Sequence, residues 1–561
     1  MPSVLRLAKG LAAAPFGFLA GRVQRIACGP QAVLDLEIKA IDDSLQRQLL
    51  FHRLRRAAAD PNVAAVLLRL REAPGSWAAS SDLRDAIAAL RSNGRAVYAW
   101  SESPGNRETW IASACDRVFV PPIADVALVG LGVELTFFGS ALSRLGVEPD
   151  FEAAGAYKSF GEPFTRSYAS PANHEAVEHL VRDLQAQMIA DVAEGRGRPV
   201  EAVEALVERA PLSAEEALEA GLVDQLLYPD QLDAWIEQRH GTASKRVPFE
   251  TWARLDAAVE WSEGVGAGDE VAVVHLQGPI VMDERGGQPC IAARKVVPLL
   301  QALRKDDDVG AVVLHVNSPG GSVVASDLIW REVEQMQQIK PVVASFEDVA
   351  ASGGYYFAAP AAEILARPGT LTGSIGVFGG KLVAGEGMRR LGVHTQLVSA
   401  APNANLFSLS RPFTEAQRTR FRGSLQRFYD GFVQRVATGR RCAADTIEPH
   451  CRGRVWTGRA ALSCGLVDRH GGLHEAVERA RSLAGMQPGA WRRVDVPAYR
   501  PPLISRLLER NLRGALPGSQ LAWLLDVVAG AVGPRLAPLL GVLVQHEAEP
   551  LAMLPFDVDI R

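Results

Sequence analysis

The chain carries the same ordered set of short motifs twice. Arg144-Leu145-Gly146-Val147 recurs as Arg390-Leu391-Gly392-Val393, and Pro163-Phe164-Thr165 recurs as Pro412-Phe413-Thr414. Ala220-Gly221-Leu222-Val223-Asp224 is echoed by Cys464-Gly465-Leu466-Val467-Asp468. The offsets run only from 244 to 249 residues. Motifs kept in order at nearly one spacing mark a tandem duplication, so the chain must fold as two similar units, not around one large core.

Within each unit short β-branched runs alternate with helical patterns. In the second, Val271 to Ile280, Val312 to Val316 and Pro341 to Phe346 read as buried strands, and Ser326 to Ile339 has a helical period. Alternation of this kind implies βαβ units and a mainly parallel sheet in an α/β fold. The boundaries expected are a first repeat over 30–263 and a second over 270–490, joined near Gly264 to Asp269. A segment at 1–29 and a tail at 491–561 flank them.

Both flanks are apolar. Arg6 and Lys9 precede the stretch Gly10 to Gly21, which is too short to span a bilayer. It reads as a weak signal core, an interfacial anchor or a packing helix. Leu503 to Val544 is interrupted by Asp526, Pro534, Arg535 and Pro538, which fits short amphipathic helices on a membrane or a partner.

A net charge of −4 without a basic stripe argues against nucleic acid as a partner. The six cysteines show neither a CxxC pair nor metal-ligand spacing, so packed free thiols are expected, no metal and no cofactor. Cys451 and Cys464 are the pair that a disulfide would take in an exported chain.

Reactive chemistry is concentrated in two glycine turns. Asn317-Ser318-Pro319-Gly320-Gly321-Ser322 follows one strand, and Ala350-Ala351-Ser352-Gly353-Gly354-Tyr355 follows the next. Either is explained singly, as a strand-to-helix turn or as an N-cap serine. Together they suit a nucleophile, Ser352, beside an oxyanion hole built from one backbone N–H group of each turn, Gly320 leaving its own exposed in the first.

A serine hydroxyl needs a base. His394 has Glu148 as its counterpart and His315 lies mid-strand, so a Ser-His-Asp triad fits poorly. The repeats supply another candidate. Lys158 aligns with Phe407, whereas Ser352 aligns with Gly105. The first half holds the lysine without the serine and the second the serine without the lysine, as one composite site would require. Lys158 must then be neutral, which burial achieves, and Ser374 is a candidate to orient its amine.

The signatures Asn317 to Ser322, Ala350 to Tyr355, Thr370 to Gly376, Gly155 to Phe164 and Trp456-Thr457-Gly458 resemble those of the long, duplicated bacterial signal peptide peptidases. The resemblance spans roughly residues 30 to 490. It implies two tandem crotonase/Clp-like repeats of ββα type with helical N- and C-terminal extensions. It implies Ser352 as nucleophile, Lys158 as general base, Ser374 as the group positioning the lysine, and Gly320 and Gly353 as oxyanion donors. Hydrophobic peptides and cleaved signal peptides are the implied substrates, in a homotetramer associated with the inner membrane. This chain lacks the clear spanning helix with which long members start, so the membrane side stays open and the cytoplasm is an alternative. Other readings of the fold are an acyl-CoA enzyme of crotonase type and a catalytically inactive membrane scaffold.

Overall fold

The structure, a computed structural model, describes residues 21–241, 244–264, 268–284, 289–487, 491–497 and 551–553. The first half contains β1 (Ala32–Ile38), α1 (Ser44–Ala59), β2 (Val63–Leu70), α2 (Trp77–Ser92), β3 (Ala96–Trp100), β4 (Arg117–Val120), β5 (Glu148–Ala154) and the long α3 (Pro171–Arg196). Strands β1 to β4 lie side by side in parallel. The second half contains β6 (Asp269–Gln277), β7 (Val309–Ser318), β8 (Gly320–Ser322), β9 (Val342–Ala351), α4 (Gly353–Ala358), β10 (Val377–Val383), α5 (Glu415–Gly439), β11 (Trp491–Pro497) and β12 (Leu551–Met553). Here β9, β7, β6 and β11 form a second parallel array in that order.

The central strands are apolar almost without alternation. Val63–Leu70 reads VAAVLLRL and Val309–Ser318 reads VGAVVLHVNS, and most of their residues are buried. That pattern belongs to parallel strands covered on both faces. Each half has its own main apolar core, one around Leu34, Leu68 and Trp110, the other around Val274, Leu314 and Phe357.

Two features join the halves. A third sheet brings β5 of the first half against β10 of the second as a seven-residue antiparallel ladder, from Val377 opposite Ala154 to Val383 opposite Glu148. A buried ionic network crosses the same boundary. Arg47 of α1 reaches Glu347 at 2.9 Å and Asp348 at 3.3 Å, both on β9. Arg367 reaches Asp82 of α2 at 2.7 Å and Glu475 at 2.9 Å.

Several expectations change. The strand expected over Val271 to Ile280 stops at Gln277, because Gly278 turns the chain at φ 95°, where a Cβ would lie 2.3 Å from Pro289 O. The tail is not helical throughout: Trp491–Pro497 pairs with β6 as a parallel edge strand, and Leu551–Met553 joins the third sheet. β-branched and aromatic residues in 491–496 favour a strand once an open sheet edge is available. The apolar stretches at 10–20 and 503–544, and residues 265–267 of the expected linker, lie outside the described residues. Cys451 and Cys464 are free thiols, and Cys451 Sγ donates to Ile447 O at 3.3 Å. Among the described residues no helix is long and apolar enough to cross a membrane, and no cluster of side chains is arranged to hold a metal ion.

Candidate active site

Ser352 stands at the end of β9, fully buried, with φ 54° and ψ −114°. An L-residue avoids this conformation unless its surroundings impose it. They do: Ser352 N donates to Gly373 O at 2.8 Å, and Ser352 O accepts from Tyr356 N at 2.8 Å. Ser352 occupies the N-cap position of α4, yet its side chain caps nothing. Its hydroxyl instead lies 2.8 Å from Lys158 Nζ, with Gly376 O at 3.4 Å. The following Gly353 is required by packing, since a Cβ there would sit 2.5 Å from Ser326 Oγ and 2.9 Å from the Ile280 side chain.

Lys158 arrives from the other half, 194 residues earlier. β5 carries the chain along β10 and releases it into the 155–161 loop beside the serine. Gly155, at φ +111°, lets that loop lie on the backbone of Arg452, where a Cβ would come within 2.7 Å. Gly453, at φ +80°, presses on Lys158 itself, and its Cβ would fall 2.6 Å from Lys158 N. Phe160 stacks on Phe378 of β10 with centroids 4.3 Å apart. Ser159 Oγ donates to Asn173 Oδ1 at 3.1 Å, and Asn173 Nδ2 in turn donates to Glu162 at 3.1 Å. The lysine is thus held by groups from both repeats.

Its amine is surrounded by neutral oxygens: Ser352 Oγ at 2.8 Å, Ser374 Oγ at 3.0 Å and Ser374 O at 3.0 Å. The residue is only 5 % exposed. Burial without a compensating carboxylate drives the amine well below its ordinary pKa, toward the neutral form. Ser374 also has a left-handed backbone, φ 50°, fixed by its N–H donating to Arg454 O at 2.7 Å. Among the described residues five non-glycine residues have positive φ, and three of them, Ser352, Ser374 and Arg452, surround this one point.

The glycine turns converge, with one difference from expectation. Gly320 N–H donates to Ser318 Oγ at 3.2 Å. The nitrogen that approaches Gly353 is that of Gly321, 3.3 Å from where a Gly353 Cβ would be. Gly321 must be a glycine because its own Cβ would strike Ile280 O at 2.1 Å. The neighbouring β8 and β10 flank a slot, and β12 lies in it antiparallel to both. Met553 stands opposite Gly320, Ala552 opposite Gly321, and Leu551 opposite both Ser322 and Phe378.

The degenerate counterparts are in place. Gly105 occupies the N-cap position of the helix Asn106–Ala112 as Ser352 occupies that of α4. Phe407 packs against Phe421. His315 is buried near Ser345 and Glu347, and His394 is exposed, so neither histidine serves Ser352. Sequence reasoning missed Gly453 and Arg452, whose backbones the lysine loop lies on. A glycine's role in close approach has no signal in a single sequence beyond the glycine itself.

The arrangement can deprotonate and direct a buried hydroxyl. Residues 89–242 and 334–487 each match the model described as Peptidase family S49, and residues 287–367 match that of Clp protease. The paired matches establish a tandem Clp-like α/β architecture. The chain is 31% identical over 439 residues to the chloroplastic serine protease SPPA of Arabidopsis thaliana, covering 77% of this chain and 64% of that protein. It is 30% identical over 461 residues to Protease 4 of Salmonella typhi, covering 80% and 74% respectively. A putative signal peptide peptidase SppA of Enterococcus faecium is 32% identical over 180 residues, covering 32% of this chain and 52% of that protein. The chain therefore spans just under two thirds of the plant relative and about three quarters of the Salmonella one.

Proposed function

The chain belongs to peptidase family S49, and on that premise we propose that it is a serine endopeptidase in which Ser352 is the nucleophile and Lys158 the general base. The observation that carries this reading is the 2.8 Å contact between Lys158 Nζ and Ser352 Oγ, made across two repeats by a buried amine. The neutral amine takes the hydroxyl proton as Oγ attacks the substrate carbonyl. The oxyanion is met by backbone N–H groups, for which we place Gly353 and Gly321. Lys158 then delivers its proton to the departing amine, leaving an ester on Ser352. Water enters, gives a proton to the same amine and releases the acid. Ser374 positions the lysine throughout.

Substrates are proposed to be cleaved signal peptides and other hydrophobic peptides, lying extended in the slot between β8 and β10. Support comes from β12, which shows that the slot takes an apolar segment, Leu-Ala-Met, by antiparallel pairing. Assembly as a homotetramer and association with the inner membrane through the apolar flanks complete the proposal. Cell fractionation with protease accessibility assigns the membrane side. The activity test is acylation by a fluorophosphonate: mass spectrometry should place the adduct on Ser352. An intact, folded chain that takes up no label would favour the acyl-CoA enzyme or the inactive scaffold.

Two further outcomes follow from the geometry. Activity should rise with pH along a single-proton limb, because the protonated amine cannot accept the serine proton. That limb should lie well below the ordinary lysine range. Ser374→Ala removes one acceptor from the ammonium form, so the limb should move to still lower pH while the plateau rate falls about tenfold, the equivalent of one lost hydrogen bond. A pH–rate profile of both proteins checks the two directions. Deleting 551–561 should lower the apparent KM for a reporter peptide at unchanged kcat, because a competitor for the slot is gone. Steady-state kinetics of the shortened chain read this directly.

A further inference from the structure

We infer that the first half carries an anion-binding pocket for the phosphate of an acidic phospholipid headgroup, held by Arg91, Arg117 and Arg239. Strands β1 to β4 run in parallel, so their N-terminal ends share one end of the sheet. An open cavity of about 940 Å³ lies there, where β3 begins at Ala96 and β4 at Arg117. Arg91, at the end of α2, and Arg239, at the end of the helix Pro229–His240, line it together with Arg95 and Arg117.

The carboxylates in the lining do not cancel these charges. Asp116 accepts from Arg91 at 2.8 Å, and the backbone N–H of Val97 occupies its other oxygen at 2.8 Å. Asp224 is shared between Arg117 at 2.9 Å and Arg196 at 2.8 Å, and also accepts from Val118 N. Arg95 and Arg239 have no carboxylate within ion-pair distance among the described residues. Five guanidinium groups thus face two carboxylates. Their remaining N–H groups present the forked geometry that matches phosphate oxygens.

The duplication supplies an internal control. The N-caps Ser76 and Ser322 register α2 on the helix Val323–Gln337 and set Arg91 against Gln337. Each sheet places one residue of its third strand, Tyr98 or Val343, opposite the start of the next strand. That start is Arg117 in the first half and Glu363 in the second. The N-caps Tyr228 and Gly472 register Pro229–His240 on the helix Leu473–Leu483 and set Arg239 against Leu483. The three equivalents are neutral, acidic and apolar, and Glu363 is held by Arg479. Arg95 alone keeps a basic counterpart, Lys340, for a local reason. Arg95 Nε donates to Ala58 O at 3.4 Å and Lys340 Nζ to Leu303 O at 2.8 Å, near the ends of equivalent helices. The same fold therefore stands without Arg91, Arg117 and Arg239, which leaves them to a ligand.

The source of the phosphate follows from what shares this end of the sheet. Residues 21–28 are helical and lead into β1, two strands from β3. They hold Val23 45 % and Ile26 75 % exposed, with Arg22 and Arg25 exposed beside them. The apolar stretch from Gly10 precedes them in the sequence. Apolar side chains bracketed by arginines suit the headgroup boundary of an anionic membrane, which draws in basic groups within a Debye length. The lipid source rests on the proposed membrane association, whereas the pocket is independent of Ser352 and Lys158.

The test is flotation of the full chain with phosphatidylcholine vesicles, with and without phosphatidylglycerol. Wild type should float with the phosphatidylglycerol vesicles, and less so as salt rises. The pocket variant Arg91→Gln/Arg117→Gln/Arg239→Leu should bind them about a hundredfold more weakly. Its thermal melt should match wild type, because exposed ion pairs contribute little. An equal loss of charge at exposed arginines elsewhere, Arg182→Gln/Arg209→Gln/Arg331→Gln, should leave binding unchanged. Soluble glycerol phosphate provides the other arm. If it stabilises wild type and not the pocket variant while both float alike, a free phosphate ester replaces the lipid. Equal flotation of the two without any response to glycerol phosphate would overturn the pocket and leave membrane association standing, as would a charge control as weak as the pocket variant. Wild type that floats with neither vesicle would overturn membrane association and the lipid source together.

Discussion

Lys158→Ala is expected to lower kcat/KM for peptide hydrolysis by about 10⁴-fold, and Ser352→Ala by about 10⁶-fold, with the double variant no worse than the serine variant. The serine change removes the covalent route itself. The lysine change leaves a buried hydroxyl with no proton acceptor, because Ser374 and Gly376 O are the other polar groups near it and neither is a base. Lys158→Met separates chemistry from folding. The folded state holds the amine with a lowered pKa, so the unfolded chain binds a proton that the folded chain gives up between the two values. Burying the lysine therefore costs stability that is fully felt below the folded pKa and disappears above the unfolded value of about 10.4. The methionine variant should accordingly be inactive yet melt higher than wild type near neutral pH, with the gap closing by about pH 11. Hydrolysis assays and melts on the same preparations read both. Substantial residual cleavage by Lys158→Ala would defeat the assignment of the base.

The second large effect is on stability. Arg47→Ala should destabilise the chain by about 3–5 kcal/mol, measured by denaturant unfolding, since it strips the cation from two buried carboxylates. Burial opposes the Arg47 charge, but Glu347 and Asp348 outweigh it and hold the guanidinium charged. Asp348 shows the stress on the other side: burial, then the adjacent Glu347, raises its carboxyl pKa, even though Ser76 Oγ and Ala79 N donate to it at 2.5 and 3.0 Å. All these partners lie in the first half, whereas Glu347 and Asp348 stand on β9, shortly before Ser352. Loosening them should also cost activity. Adding Glu347→Gln to Arg47→Ala should recover part of the stability, because fewer buried charges then lack a partner. A loss below about 1 kcal/mol for Arg47→Ala would show that the network is not needed to join the halves.

Much of the site was legible because duplication leaves a record of loss. Ser352 stands in a glycine turn that a capping serine does not need, and Lys158 acquires meaning only because Phe407 replaces it in the other copy. Parallel strands were readable from their continuous apolar runs, although β6 ends earlier than its hydropathy suggests, where Gly278 turns. Other features had no local signal. Gly320 and Gly321 are neighbours of one type, distinguished only in the fold, where Gly320 N–H donates to Ser318 Oγ and Gly321 lies against Ile280 O and Gly353. Arg47 reads as an ordinary helical surface residue until β9 covers it. Residues 491–497 and 551–553 follow from sheet edges elsewhere in the chain.

By itself, the amino-acid sequence determined that there are two repeats, that their sheets are mainly parallel, and that a serine in one, in a glycine turn, is matched by a lysine in the other, each lost from its counterpart. It could do so because repetition, hydrophobic period and complementary loss are properties of the order of residues. Tertiary structure alone decided that the two groups meet at 2.8 Å, that the amine is buried and its pKa lowered, and that an extended segment pairs with the neighbouring strands. Those outcomes depend on the ladder between β5 and β10, on glycines pressed against distant backbone, and on buried charges paired across the repeats. Contacts between residues some 200 to 300 positions apart arise only once the chain has closed on itself.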